Sequence, residues 1–263
     1  METPPSGLNT SLEGGMYRFQ GTSVDNYICF GTSDKDSCLS NQDAYLYRII
    51  GINSDNQVKV IKKEALNSGI NWFSGNSDIS WPNSVLYSQI NGNSFLNNET
   101  YVPTDWVDNI ATVNWKYGDL DYDAQSIPGL GTTAASSLYS IENGWTSTIS
   151  AKIGLMYTHD YFYASQSGGL NCNSSSSSCK ASWIHLSQND SGRPDAMEWT
   201  MTRHGYNSYY SVWTAWLIYD EVTINWGNSE YPSARSTRPV FYLTEDVSVL
   251  SGSGTSDDPF IIK

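Results

Sequence analysis

Apolar and polar residues alternate in short runs from Met16 to Lys62, and Gly, Asn, Asp and Ser separate the runs. Tyr17-Arg18-Phe19, Tyr27-Ile28-Cys29-Phe30 and Ala44 to Ile52 read as strands. Asn53-Ser54-Asp55-Asn56 then turns the chain into a further strand, Gln57 to Lys62. Turn chemistry and alternation agree at this point, which makes it the clearest hairpin in the sequence. Residues 67–83 form a loop rich in Asn, Ser and Gly that carries Trp72 and Trp81. Asn83 or Ser84 caps a predicted short helix with Leu86 and Ile90 on one face. Further along, the pattern predicts a helical turn at Asp105–Ile110 and a strand at Ala111–Trp115. A long loop over 118–137 follows, then a strand at Ile149–Met156 and a short helix or turn at Thr158–Ala164. Strands and short helices in irregular order, with no fixed-period repeat, indicate an α+β fold in one domain over residues 16–263. Residues 1–15, rich in Pro, Ser and Gly, read as a tether, and the early hairpin reads as an amino-terminal extension.

The densest pattern lies between Trp199 and Leu243. Glu198 to Thr202 alternates as a half-buried strand does, and Arg238 to Leu243 is a short aromatic and β-branched run with Pro239 near its start. Between His204 and Ala234 there is no Lys or Arg, while Tyr206, Tyr209, Tyr210, Trp213, Trp216, Tyr219, Trp226 and Tyr231 alternate with small hydrogen-bonding residues. Tyr and Trp give a large stiff contact area at low entropic cost, and Ser, Gly and Asn adapt to what lies opposite. That is the chemistry of binding surfaces. The plainer account is sheet core, and it suits Trp213, Trp216 and Trp226. Tyr206, Tyr209 and Tyr210, set among Asn and Ser without a clean period, are expected in a loop facing a ligand. Asp220-Glu221 is expected to turn a hairpin between Trp213–Tyr219 and Val222–Trp226.

Composition narrows the function. A net charge of −13 leaves no basic stripe for nucleic acid. No apolar run approaches the ~20 residues that span a bilayer, so no direct membrane insertion is expected. Met1 to Pro5 resembles a trimmed edge from which a leader or anchor has been removed. The four cysteines fall in two close pairs, Cys29 with Cys38 and Cys172 with Cys179, each flanking a polar loop. Neither spacing is that of a zinc or thioredoxin site, and two disulfides in an extracellular or cell-surface protein are expected.

Catalytic and metal signatures are thin. Asp119, Asp121 and Asp123 share the spacing of the first half of a calcium loop but lack its glycine and distal glutamate, so they read as a solvated acidic loop. His159-Asp160 has no accompanying nucleophile elbow, and His159, His185 and His204 read as structural or exposed. Glu198, Asp220, Glu221 and Glu230 lie in or near the aromatic region, and nothing selects a catalytic pair among them. No catalytic metal and no cofactor are expected.

Several phrases together, MYRFQG, NYICFG, LYRIIGI, QVKVIKKEAL, IATVNWKYGD, SAKIGLMYTHDY, EWTMTR, RPVFYL and SGSGTSDDPFIIK, resemble the surface-domain proteins of gut Firmicutes. Those proteins often sit behind a pilin-like or membrane-anchored amino terminus. The layout of EWTMTR, an aromatic Asn/Ser-rich stretch and RPVFYL is also similar to the carboxy-terminal part of C-type-lectin-fold variable proteins diversified by bacterial retroelements. In those proteins, randomised adenines of asparagine codons leave a restricted set of residues at ligand-facing positions. Tyr206, Asn207, Ser208, Tyr209, Tyr210, Thr214, Tyr219, Asp220, Thr223, Asn225, Ser229 and Tyr231 fit that set. The calcium signatures of conventional C-type lectins are absent.

The resemblance implies a C-type-lectin-like α+β fold and a recognition module, not an enzyme. Its partner would be a protein or glycan on another cell or host surface. A carbohydrate-active enzyme using acids of the same groove, and a pilin-like structural subunit, are the rival readings.

Overall fold

The computed structural model describes residues 5–9, 16–73, 80–120, 135–164, 183–186, 197–207, 212–218, 224–228 and 234–263. Within 204–207, 212–218 and 224–228 it describes the backbone alone. Its largest sheet is antiparallel, ordered β1 (Leu8–Asn9), β2 (Tyr17–Phe19), β4 (Leu46–Ile52), β5 (Val58–Lys62), β12 (Val240–Tyr242) and β8 (Ile153–Gly154). A further strand, β3 (Tyr27–Cys29), pairs with the start of β4. Two predicted features change place here. Leu8 and Asn9, in the segment read as a tether, pair with Phe19 and Arg18. The β4–β5 hairpin, read as an extension, is the middle of the sheet.

The hairpin forms for the local reason its sequence gives. Asn53 Oδ1 accepts the backbone N–H of Asp55 at 3.0 Å and of Gln57 at 2.8 Å, and Asn56 takes a φ of 60°. Every residue from Leu46 to Gly51 is buried, so the sheet is covered on both faces. On one face Phe30, Tyr47, Phe95 and Phe241 pack ring against ring, Phe30 to Phe241 at 4.8 Å and Tyr47 to Phe241 at 5.4 Å. A second aromatic group joins Trp72 to Trp81 and to Trp199, both at 5.6 Å. The two tryptophans of the predicted 67–83 loop are therefore core residues.

Helix α1 (Lys35–Ser40) follows the Asp34 cap and α2 (Gln42–Tyr45) leads into β4. The Cys29–Cys38 disulfide ties β3 to α1. Helix α3 (Val85–Ile90) starts where predicted: Ser84 Oγ accepts the Tyr87 N–H at 2.9 Å, and Leu86 and Ile90 are buried. The helical turn is a 3₁₀ segment, Thr104–Asn109. The predicted strand at 149–156 is divided. Its first part, β7 (Thr148–Ala151), pairs with β6 (Val113–Lys116), and its second part is β8 in the main sheet. The break is Lys152, whose ammonium donates to the Val107 carbonyl at 3.0 Å and to that of Ile110. Helix α4 (Ala135–Gly144) begins inside the stretch read as a loop, and α5 (Thr158–Tyr163) stands as predicted.

A three-stranded antiparallel meander, β9 (Glu198–Asn207), β10 (Val212–Ile218) and β11 (Ile224–Asn228), completes the aromatic region. It replaces the expected loop with strand through Asn207, and it supplies the predicted hairpin between β10 and β11. The first half of β9 is deeply buried at Glu198 to Thr202. Close by the start of the chain, β14 (Ile261–Ile262) pairs with β13 (Val249–Ser251), and Phe260 bridges Ile28 in parallel. No described helix is long and apolar enough to cross a membrane.

Candidate functional site

The meander places some of the sequence-selected residues and leaves others outside the described residues. Tyr206 lies opposite Trp213 and Asn207 opposite Val212. Thr214 sits between Gly205 and Asn228 in the central strand. These positions gather at one end of the meander. Asn225, opposite Leu217, belongs to the other end, where Ile218 faces Ile224. At ~3.4 Å per residue the seven residues of β10 separate the two ends by about 20 Å. Ser208, Tyr209, Tyr210, Tyr219, Asp220, Thr223, Ser229 and Tyr231 lie outside the described residues, as do Cys172, Cys179, Asp121, Asp123, Glu221 and Glu230. Asp119 is held by Arg203, whose Nη2 donates to Oδ2 at 2.7 Å. Glu198 is buried and receives both Nε and Nη2 of Arg238, at 2.7 and 2.8 Å.

A second place, which the sequence did not single out, is fully described. Register sets Arg18 of β2 beside Gly51 of β4, Gly51 beside Lys59 of β5, and Lys59 beside Tyr242 of β12. Cross-strand neighbours share a face, so the four residues form one row across the sheet. Gly51 makes room within it: a Cβ there would stand 2.2 Å from the Tyr17 carbonyl oxygen and 3.2 Å from Arg18 Cγ. Helices α4 and α5 contribute the groups above the row. Lys59 Nζ donates to Asp160 Oδ2 at 2.5 Å, with both side chains buried. The same oxygen accepts the Tyr157 N–H at 3.0 Å, which fixes the start of α5.

Glu142 of α4 is buried and accepts from five donors. They are the N–H and hydroxyl of Thr158, at 3.1 and 2.6 Å, the Thr202 hydroxyl, and the N–H and Nδ1 of His159, at 3.1 and 2.5 Å. It binds α4, α5 and β9 together. The His159 ring stacks on Tyr157 at 5.2 Å and meets the edge of Tyr139 at 5.1 Å. Its Nε2 lies 3.4 Å from Asp160 Oδ1, so the histidine and the aspartate adjacent in sequence are also adjacent in space.

Burial would raise the Asp160 carboxyl, but Lys59, His159 and Arg18 more than offset it and hold the group at about 2. Burial likewise pulls the Lys59 ammonium down, and Asp160 reverses this to leave it above the ordinary lysine value. Burial pushes Tyr157 well up and Tyr242 up, so both remain phenols. Arg18 differs from the others. It is buried, its guanidinium carbon lies 4.2 Å from the Tyr163 ring centre and 5.2 Å from that of Tyr139, and none of its three side-chain nitrogens has a hydrogen-bond partner. A cleft of about 530 Å³ opens against this cluster, with Arg18, Lys59, Trp115, Tyr139, Tyr157 and Tyr242 among its lining residues.

Sequence reasoning passed over Arg18 and Lys59 because a cation in an alternating strand reads as its solvent face. A usable signal was present in α5: Thr158-His159-Asp160 sits within a run otherwise of Tyr and Phe. Acids and imidazoles in such a run need buried partners. The chain matches no family model, no curated protein and no solved structure.

Proposed function

We propose that this chain is an extracellular ligand-recognition domain of C-type-lectin-like design, binding a protein or glycan on another cell through the aromatic meander β9–β10–β11. The observation that carries the reading is how β9 is divided. Glu198 to Thr202 is buried and fastened by the Glu198–Arg238 pair, by Trp199 Nε1 donating to the Ile70 carbonyl at 2.8 Å, and by Thr202 on Glu142. The strand then continues into a meander in which Tyr206, Trp213, Trp216 and Trp226 stand among Asn207, Thr214, Asn225 and Asn228, with Val, Leu and Ile between them. A rigid root carrying an aromatic, charge-poor segment is the arrangement that suits presentation of a contact surface.

Against the rival enzyme reading stands Glu198. Of the four acids in or near the aromatic region it is the described one, and both its oxygens are bound by Arg238. The Cys29–Cys38 disulfide agrees with an oxidising compartment.

The test is flow cytometry of the fluorescently labelled chain on epithelial cells and on bacterial cells, comparing the native chain with Tyr206→Ala, Tyr209→Ala and Tyr210→Ala. Loss of an anchoring ring at ~2 kcal/mol weakens capture about thirtyfold, with melting unchanged. Trp199→Ala lowers the melting temperature first. Tyrosine variants that melt early, or that stain cells as the native chain does, place these rings in the core or in an assembly contact instead.

A further inference from the structure

We infer that the cleft over Arg18 is a second binding site, for a small hydroxylated molecule carrying a single carboxylate, of which an acidic sugar is the fitting class. A buried guanidinium with no hydrogen-bond partner is costly, and native proteins leave few of them. The carboxylates nearby make their hydrogen bonds to other groups. Asp160 Oδ2 is taken by Lys59 and the start of α5, Asp160 Oδ1 lies 3.4 Å from His159 Nε2 and makes no hydrogen bond, and Glu142 is held by its five donors. Arg18 remains as the cation without a hydrogen-bonded anion. Its fork of N–H groups matches a carboxylate in two-point contact. A doubly charged phosphate would fit less well, because Asp160 and Glu142 lie in the same cluster and would repel it.

The rest of the cleft accounts for the body of the ligand. Trp115, Tyr157 and Tyr242 give flat apolar walls, and the exposed Ser54, Thr112 and Asn114 offer polar groups for hydroxyls. The volume, about 530 Å³, lies within the usual range for small-ligand sites. Tyr139 both packs on the guanidinium and lines the cleft, and it is only half-buried. A turn of that ring is the movement that uncovers the N–H edge to an entering carboxylate. The cleft uses none of the residues assigned to cell capture, so either site can fail without the other.

Calorimetric titration of the whole chain with sodium glucuronate tests this, with glucose and inorganic phosphate as comparators. Saturable glucuronate binding is expected, at least about tenfold tighter than either comparator. Arg18→Met removes it. Because the Arg18 side chain makes no hydrogen bond, an apolar replacement is expected to keep the fold, which thermal melting checks. Asn114→Trp, at an exposed position of the cleft, blocks entry without touching the buried cluster and weakens glucuronate about tenfold or more. Absence of saturation in the native chain overturns the proposal. So does equal binding of glucose, tighter binding of phosphate, or unchanged affinity in folded Arg18→Met or Asn114→Trp.

Discussion

The Lys59–Asp160 pair is buried to within 1% on both sides, so cutting it should be costly, and the cost should depend on which partner is removed. Truncating one member of a buried pair commonly costs about 3–5 kcal/mol, because the other charge is left without compensation. Asp160→Asn does this to Lys59, whose neighbours in the cluster besides Asp160 include Arg18, another cation. The full ~3–5 kcal/mol is expected. Lys59→Met leaves Asp160 with the Tyr157 N–H, with His159 and with the field of Arg18. Its cost is expected to be nearer ~2 kcal/mol, below the usual range for such pairs. The double variant should cost less than the two single losses added together, by about 1–3 kcal/mol of coupling. The folded Asp160 carboxyl sits at about 2, below its ordinary 3.8. Its stabilisation is therefore complete above pH ~4 and is lost as pH falls through ~2, amounting to roughly 2–3 kcal/mol. Urea midpoints for the four proteins at pH 7, and again between pH 5 and pH 2, measure all of this. Equal losses for the two single variants, strict additivity, or an unchanged acid limb in Asp160→Asn would refute the reasoning.

Two further outcomes follow from the frame. Replacing Cys38 by alanine opens the loop closed by Cys29–Cys38, nine residues apart, and should cost about 3 kcal/mol by loop entropy. For a chain of this length that lowers the melting temperature by roughly 5 °C, which a calorimetric scan of the native chain and the variant under the same non-reducing conditions measures. Gly51→Ala forces a Cβ against the Tyr17 carbonyl and Arg18, so a loss of about 1–3 kcal/mol is expected. Glucuronate affinity should fall with it, measured by the same titration.

What the sequence disclosed was local. Asn53 and Asn56 announce the β4–β5 turn, Ser84 announces α3, and the alternation around Trp199 and Phe241 marks two strands whose rings are buried. Alternation also says that Lys59 and Ile61 share a face. It cannot say whether a face meets water or a pair of helices, and here α4 and α5 supply the acids from about eighty to a hundred residues away. Helix α4 was hidden for a related reason. Ala135, Leu138 and Glu142 are its buried side chains, so its inward stripe contains a carboxylate where an apolar residue would have revealed the period. The division of 149–156 depends on Lys152 reaching the carbonyls of Val107 and Ile110, which no short-range pattern encodes.

Strand β12 lies between β5 and β8, yet it comes from residues 240–242, near the end of the chain. On the ribosome, β4 and β5 emerge long before the strand that will cover β5's open edge. At ordinary synthesis rates the wait is roughly 10–40 s. Throughout it, Val58 to Lys62 presents unpaired backbone groups to any other extended segment nearby, the circumstance in which sheets join wrong partners. Lys59 and Lys62, both buried once folding is complete, are then still in water. A charged edge resists mispairing. The two lysines thus charge the nascent edge during the interval before β12 pairs with it.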